Sequence, residues 1–356
     1  MVSLVKNSQK SKIFFIFLLF IILIILIGIA ACFGSVNLSF IEVYQIIFSK
    51  FFPFYIKSDP SSEYIIWNLR LPRLFGAIIV GSALSAGGAI CQAILRNPLA
   101  SPFTMGLSSA AGFGASLAII LGAGVLTYSG GYTYIITNEL LVISNAFIFC
   151  ILCALIVSFL AKIKGFNPTT IILAGVAIGY FFSAGTSILQ YFSQAEALKA
   201  VIMWLLGDLG RSSWKNLPLM SLALITIPFL LTISWKLNAL NLGDDTAISL
   251  GVNIKKLRML CILIVSFMTS ITISFVGVIS FICLISPHIA RMIVGNNNEY
   301  LIVTSSLIGA ILLLIADTIA RTIMSPLILP IGAITSCIGG PFFIYLLLKS
   351  RRSYFS

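Results

Sequence analysis

From Ile13 to Ala31 every position is apolar. At 1.5 Å per residue such a run is long enough to approach the roughly 30 Å hydrocarbon layer of a bilayer. Runs of this kind recur along the chain, separated by short polar or Gly- and Pro-bearing stretches. Ten spans fit the pattern best, at about 13–33, 72–95, 105–127, 135–161, 168–191, 217–235, 259–279, 281–294, 301–321 and 330–349. A closed β-barrel would need short strands of alternating polarity, which these unbroken runs are not. The pattern therefore predicts an all-α polytopic membrane protein, with residues 1–356 forming one transmembrane domain. Lys6, Lys10 and Lys12 precede the first run, but no small-residue cleavage site follows it, so it reads as a retained span rather than a leader. Between Arg258 and Asn296 the chain is too short for two full spans and a loop, and Pro287 interrupts the second of them. The segment 281–294 is accordingly expected to be a short, broken helix, tolerated where protein or a water-filled path surrounds it.

Composition strengthens this picture. Hydrophobic residues make up 59% of the chain and charged residues 9%, with a mean hydropathy of +1.11, against roughly 25% charged residues in a soluble domain. The formal charge of +12 follows from the enrichment of Lys and Arg in cytoplasmic loops. With the N-terminus inside, Lys162, Lys164, Lys236, Lys255, Lys256, Arg258 and the tail positions Arg351 and Arg352 fall on the cytoplasmic side, and so does the C-terminus. The same arrangement places loops 34–71 and 192–216 outside and loop 236–258 inside. No basic stripe with interleaved aromatics is present, and nucleic acid is discounted as a partner.

The chemistry of an internal motor is missing. There is no G-x-x-x-x-G-K-[ST] loop to cradle phosphates and no H-E-x-x-H pair. The single histidine, His288, reads as a polar side chain satisfied at a helix interface rather than a ligand. Ion-coupled carriers carry ionisable groups near mid-span. Here the nearest is Asp317, which stands four residues before Arg321 at the outer end of its helix. Most of the seven cysteines sit inside apolar runs. Cys150 and Cys153 have two residues between them on an apolar helix with no other ligand nearby, so neither a disulfide nor a metal site is predicted. No catalytic residue and no cofactor are expected.

Three stretches carry local signals. The second span opens with Arg70-Leu71-Pro72-Arg73, proline being well placed in a first helical turn. The two arginines read either as interfacial anchors or as acceptors for carboxylates of a docking protein. The span continues through Gly81, Ser82, Ala83, Ser85, Ala86, Gly87, Gly88 and Ala89, small residues that permit close helix contact. It ends at Gln92 and the proline-broken Arg96-Asn97-Pro98-Leu99-Ala100-Ser101-Pro102. The inner loop Leu242-Gly243-Asp244-Asp245-Thr246-Ala247-Ile248-Ser249-Leu250-Gly251-Val252 carries helix signals of its own. Asp244 is expected to cap a start, Asp245 to suit the positive end of the dipole and Gly251 to end the helix. It reads either as a surface helix resting on lipid or as a lever for a cytoplasmic ATPase.

Taken in order, several blocks resemble the FecCD-type permease family, the transmembrane subunits of iron-siderophore, haem and vitamin B12 importers. They are RLPR at 70–73, the helix ending in Gln92, RNPLASP at 96–102, ILAGVAIG at 172–179, Trp204-Leu205-Leu206-Gly207, LGDDTAISLGV at 242–252, Ser286-Pro287-His288-Ile289-Ala290-Arg291, AD-x-x-AR at 316–321 and LP-x-G…GGPFF at 329–343. The resemblance implies a vitamin-B12-permease-like (type II ABC importer) fold in the cell membrane, paired as a homodimer or as a heterodimer with a paralogous permease. It further implies two cytoplasmic ABC ATPases and an extracytoplasmic substrate-binding (lipo)protein. It matches Arg70, Arg73 and Arg321 to binding-protein docking. It matches Leu242, Gly243, Asp244, Asp245, Ala247, Leu250 and Gly251 to ATPase coupling, and Asn167, Pro168, Thr169 and Thr170 to an inner gate. Proline at 168 stands where the family often has a small polar residue, and Ser280-Phe281-Ile282-Cys283-Leu284 lacks the two glycines of the family's G-F-V-G-L. The cargo expected is a ferric siderophore, with haem or cobalamin as alternatives. An ion-coupled secondary transporter is the rival from another class.

Overall fold

The computed structural model describes residues 2–34, 36, 38–50, 59–122, 125–129, 132–136 and 139–349; Arg351 and Arg352 lie outside them. The first apolar run and the lysine-bearing segment before it form one helix, α1 (Val2–Cys32). The chain continues through α2 (Phe40–Ser49) and α3 (Pro60–Tyr64), and a π turn over Ile65–Arg70 leads straight into α4 (Leu71–Leu95). After α5 (Leu107–Leu117) come α6 (Glu139–Ile163), α7 (Pro168–Tyr191), α8 (Ala195–Leu205), α9 (Leu217–Thr232), α10 (Ser234–Asn241) and α11 (Asp244–Ser249). The last four are α12 (Ile254–Val276), α13 (Ile282–Val294), α14 (Asn298–Thr322) and α15 (Ile331–Lys349).

Every predicted span contains at least part of one of these helices, but length alone does not give ten crossings. Among the described residues six stretches are long and apolar enough to cross a membrane: Gln9–Cys32 of α1, Pro60–Leu95, α6, α7, α12 and α14. A seventh results if α9 and α10, bent by 61° at their junction, count as one. Of the remaining three, α5 and α13 are shorter, while α15 is 19 residues long. Thirteen residues span only about 20 Å as a helix, so α13 is short as the chain length predicted, but it runs unbroken through Pro287 rather than being broken there. One element departs from the helical pattern. The third predicted span, 105–127, stops being helical at Gly122, and Val125–Ser129 pairs antiparallel with Tyr132–Ile136, Thr127 lying opposite Tyr134. Thr, Tyr, Val and Ile dominate both strands, and such residues fit a pleated strand better than a helix.

The small residues of α4 explain where the core sits. A Cβ added at Gly81 would lie 2.4 Å from the Gly309 carbonyl oxygen on α14, and one at Gly88 would lie 1.8 Å from the Cys283 oxygen on α13. Backbone therefore meets backbone, the geometry that small residues allow between helices in lipid. The most apolar window of Pro60–Leu95 is 89% buried, against 28% for α7 and 17% for α1. So α4 is the axial helix and α7 keeps an open face. Replacing Gly88 by Val should destabilise the fold by at least about 1–3 kcal/mol, the usual cost of overpacking. An unchanged thermal midpoint in detergent would rule out this close crossing.

Candidate functional site

Where α1 ends and α4 begins, three arginines from two motifs gather, and two of them, Arg73 and Arg321, meet one carboxylate. Asp317 on α14 is fully buried. It accepts from Arg73 Nε at 2.7 Å and from Arg321 Nε at 2.9 Å. Arg73 Nη1 also lies 3.6 Å from the half-exposed Asp208 carboxylate. The last turn of α1 contains no basic residue, and the final carbonyls of a helix have no partner within it. Arg70 and Arg321 supply that partner from outside. Arg70 Nη1 donates to the carbonyls of Ala31 (2.6 Å) and Cys32 (3.1 Å), and its Nη2 to that of Val36. Arg321 donates to the carbonyls of Phe33 (2.8 Å) and Ala30 (3.2 Å). Two cations at a helix C-terminus also suit its dipole.

The sequence expectation had Arg70 and Arg73 standing at the membrane surface. In the structure Arg70, Arg73 and Arg321 are only 5–6% exposed, because carbonyls and a buried carboxylate draw them inward. Beside them opens a cavity of ≈ 590 Å³ whose lining includes Glu139, Trp204 and Arg211. Burial pulls the Arg211 guanidinium below its ordinary range, and Asp208 and Glu139 push it back up.

At the opposite end of the bundle lie the other two residue sets. The helix foreseen in the 242–252 loop is α11. Its cap is Gly243, at φ +123, rather than Asp244. Asp244 is instead the first helical residue, and its carboxylate is gripped by Arg258 at 2.9 and 3.1 Å. Gly251, at φ +80, ends the helix as expected. Its N–H bonds the Ile248 carbonyl and that of Val252 bonds Ala247, with Ala247 and Val252 both buried. That is a Schellman closure. Leu242, Ile248 and Leu250 are 70%, 61% and 57% exposed on this short helix and its flanks, next to a cavity of ≈ 650 Å³ bordered by Trp235, Asn241 and Asn296. Asp245 is exposed.

The expected gate residues open α7. Asn167 caps it by accepting from the Thr169 N–H at 2.9 Å, and Pro168 occupies the first turn without losing a hydrogen bond. Thr169 is exposed and Thr170 half-buried. Nearby, two other motifs meet. Arg291, of the Ser286–Arg291 block, donates to Gln92 Oε1 at 3.0 Å and to Asn296 Oδ1 at 3.0 Å. His288 is buried on α13, and among the described residues no group of three or more His, Cys, Asp or Glu side chains is arranged to hold a metal.

Arg258 belongs to this site by its contacts, although the sequence reading counts it only among the inside charges. A signal existed. Lys255 and Lys256 fall on the exposed side of α12, whereas Arg258 shares the face of Ile254, Cys261, Ile262 and Val265, all buried. An arginine on the interior face of an apolar helix marks a built interaction.

The family model described as the FecCD transport family matches residues 21–349. The Fe(3+)-citrate import system permease protein YfmE of Bacillus subtilis is 37% identical over 295 residues, covering 83% of this chain and 85% of that one. The hemin transport system permease protein HmuU of Yersinia pestis is 34% identical over 325 residues, covering 91% and 92%. Relatives named for vitamin B12 and molybdate import are 35% and 34% identical. A solved ABC transporter described as of metal-chelate type, in an inward-facing conformation, superimposes with a TM-score of 0.80 at 31% identity, covering 94% of this chain and 99% of that one.

Proposed function

The chain belongs to the FecCD transport family as an ABC importer permease, and from that premise we propose that its cargo is a ferric chelate of the siderophore class. It is a multi-pass membrane protein and a transport subunit, not an enzyme; the family implies an ATPase and a substrate-binding protein as partners. The observation that carries the mechanism is the exposed apolar trio Leu242, Ile248 and Leu250 on α11 and its flanks, outside the long spans. Exposed apolar residues clustered beside a groove mark a contact surface, and a cytoplasmic ATPase is the partner this reading assigns to it. Loop 236–258 is then cytoplasmic, as are both termini.

At the other end the external binding protein docks on the face that Arg70, Arg73 and Arg321 build. Their guanidinium groups hold the end of α1 and Asp317, so they serve docking by fixing the shape of that face. Two permeases, identical or paralogous, enclose the path. The open face of α7 supports this. Tyr180, at mid-helix, is 74% exposed, and a phenol at mid-bilayer suits a wet path better than lipid, since tyrosines facing lipid gather at the membrane interfaces. Asn167–Thr170 at the start of α7 form the inner gate. A ferric chelate is favoured over haem and cobalamin by the likeness to the ferric-citrate relative, and the wide, weakly polar path leaves most selectivity to the binding protein.

Reconstitution tests the reading. Proteoliposomes holding the permease should take up a ferric chelate only when ATPase, binding protein and ATP are all supplied, with haem and cobalamin competing poorly. Uptake driven by an ion gradient without the ATPase would overturn the ABC mechanism, and preferential uptake of haem or cobalamin would overturn the cargo.

A further inference from the structure

Arg258 joins three parts of the chain that are far apart in sequence. Its Nε donates to the carbonyl of Ile94 at the end of α4 (3.0 Å), and its Nη1 to the carbonyl of Phe166 (3.2 Å). Nη1 and Nη2 together clasp Asp244 at the start of α11. The residue is 3% exposed. The planar fork of a guanidinium reaches all three groups from separate nitrogens; a lysine has its three donors on one nitrogen and cannot reproduce that spread.

The Phe166 contact gives this joint a direction. Phe166 is a non-glycine residue in the left-handed region, at φ +59, following Gly165 at φ +69. Its N–H closes α6 on the Ala161 carbonyl at 2.7 Å. Its carbonyl belongs to the peptide immediately before Asn167, whose side chain caps α7. A left-handed, 4% exposed phenylalanine is a costly conformation that its surroundings must enforce, and Arg258 holds one end of it. The Asp244 side chain, by contrast, is 43% exposed. The ion pair thus runs from the surface helix into the interior. Parting a buried guanidinium from Asp244, the one carboxylate that pairs with it among the described residues, would leave an uncompensated charge, so Arg258 follows when Asp244 is displaced.

We propose that Arg258 is the joint that carries movement of the 242–252 segment to Phe166 and hence to the start of α7. It is a positioning residue and touches no cargo. The inference rests on the reading of α11 as the ATPase contact and of Asn167–Thr170 as the gate.

The test uses the permease assembled with its ATPase in nanodiscs, followed by hydrogen–deuterium exchange with and without ATP. This readout needs no knowledge of the cargo. In the native complex ATP should alter exchange both at 242–252 and at 161–175. Asp244→Asn keeps the shape of the side chain and leaves the Ile94 and Phe166 contacts in place. It should retain the response at 242–252 while the response at 161–175 falls by roughly tenfold, the scale of a lost coupling between sites. Arg258→Lys should do the same, and combining the two should add little, since both break one joint. The proposal is overturned if Asp244→Asn keeps the native response at 161–175, or if the native complex responds at 242–252 alone. A native permease that binds no ATPase defeats the permease–ATPase reading instead, and the two failures are therefore separable.

Discussion

Replacing Asp317 by Ala is expected to destabilise the protein by about 3–5 kcal/mol, the cost of removing one partner from a buried ion pair. The size follows from what would remain. Arg73 Nε and Arg321 Nε, now at 2.7 and 2.9 Å from the carboxylate, would keep their burial and lose their anion. Arg73 Nη2 already lacks a hydrogen-bond partner, and Asp208, at 3.6 Å and half exposed, is a weak substitute. Arg321 also caps α1, so its displacement should loosen the end of that helix as well. Asp317→Asn, which keeps an acceptor oxygen but no charge, should fall between the two. Thermal midpoints of the three purified proteins check the order. If Asp317→Ala melts with the native protein, the buried cluster contributes nothing to stability and the arginines are free for other work.

This cluster also shows what could and could not be read from the sequence. The Asp317–Arg321 pair lies four residues apart on one helix and was visible as such. The Arg73–Asp317 contact joins positions 244 residues apart and depends on α4 crossing α14 at Gly81 and Gly309, where neither residue has a side chain to keep the backbones apart. Small residues announced a close crossing without naming the partner. The spans themselves were legible because apolar runs and Gly or Pro punctuation are local signals. Their number by length was not, because α5 and α13 are shorter than a bilayer and rely on neighbours. In the 242–252 loop the terminator Gly251 was read correctly, since left-handed backbone selects glycine. Asp244 has the chemistry of a cap, but its actual partner, Arg258, is brought near only by the fold.

The largest effect on transport should come from the same loop. Changing Leu242, Ile248 and Leu250 together to Asp is expected to release the ATPase and abolish ATP-driven uptake while the permease still folds. All three side chains are more than half exposed, so the isolated fold loses little by the change. Burying each in a partner's groove would contribute about 1.5–3 kcal/mol, so losing all three should weaken assembly by on the order of a thousandfold or more. Deleting residues 243–251 should give the same loss of uptake. Both outcomes differ in kind from that expected of Asp244→Asn, which leaves the apolar trio intact and should hold the ATPase without passing its motion on. Co-purification of the ATPase with each variant, beside its rate of ATP hydrolysis, separates the cases. If the triple variant keeps its ATPase and its uptake, α11 is a surface helix resting on lipid and the coupling surface must be sought elsewhere on the same face.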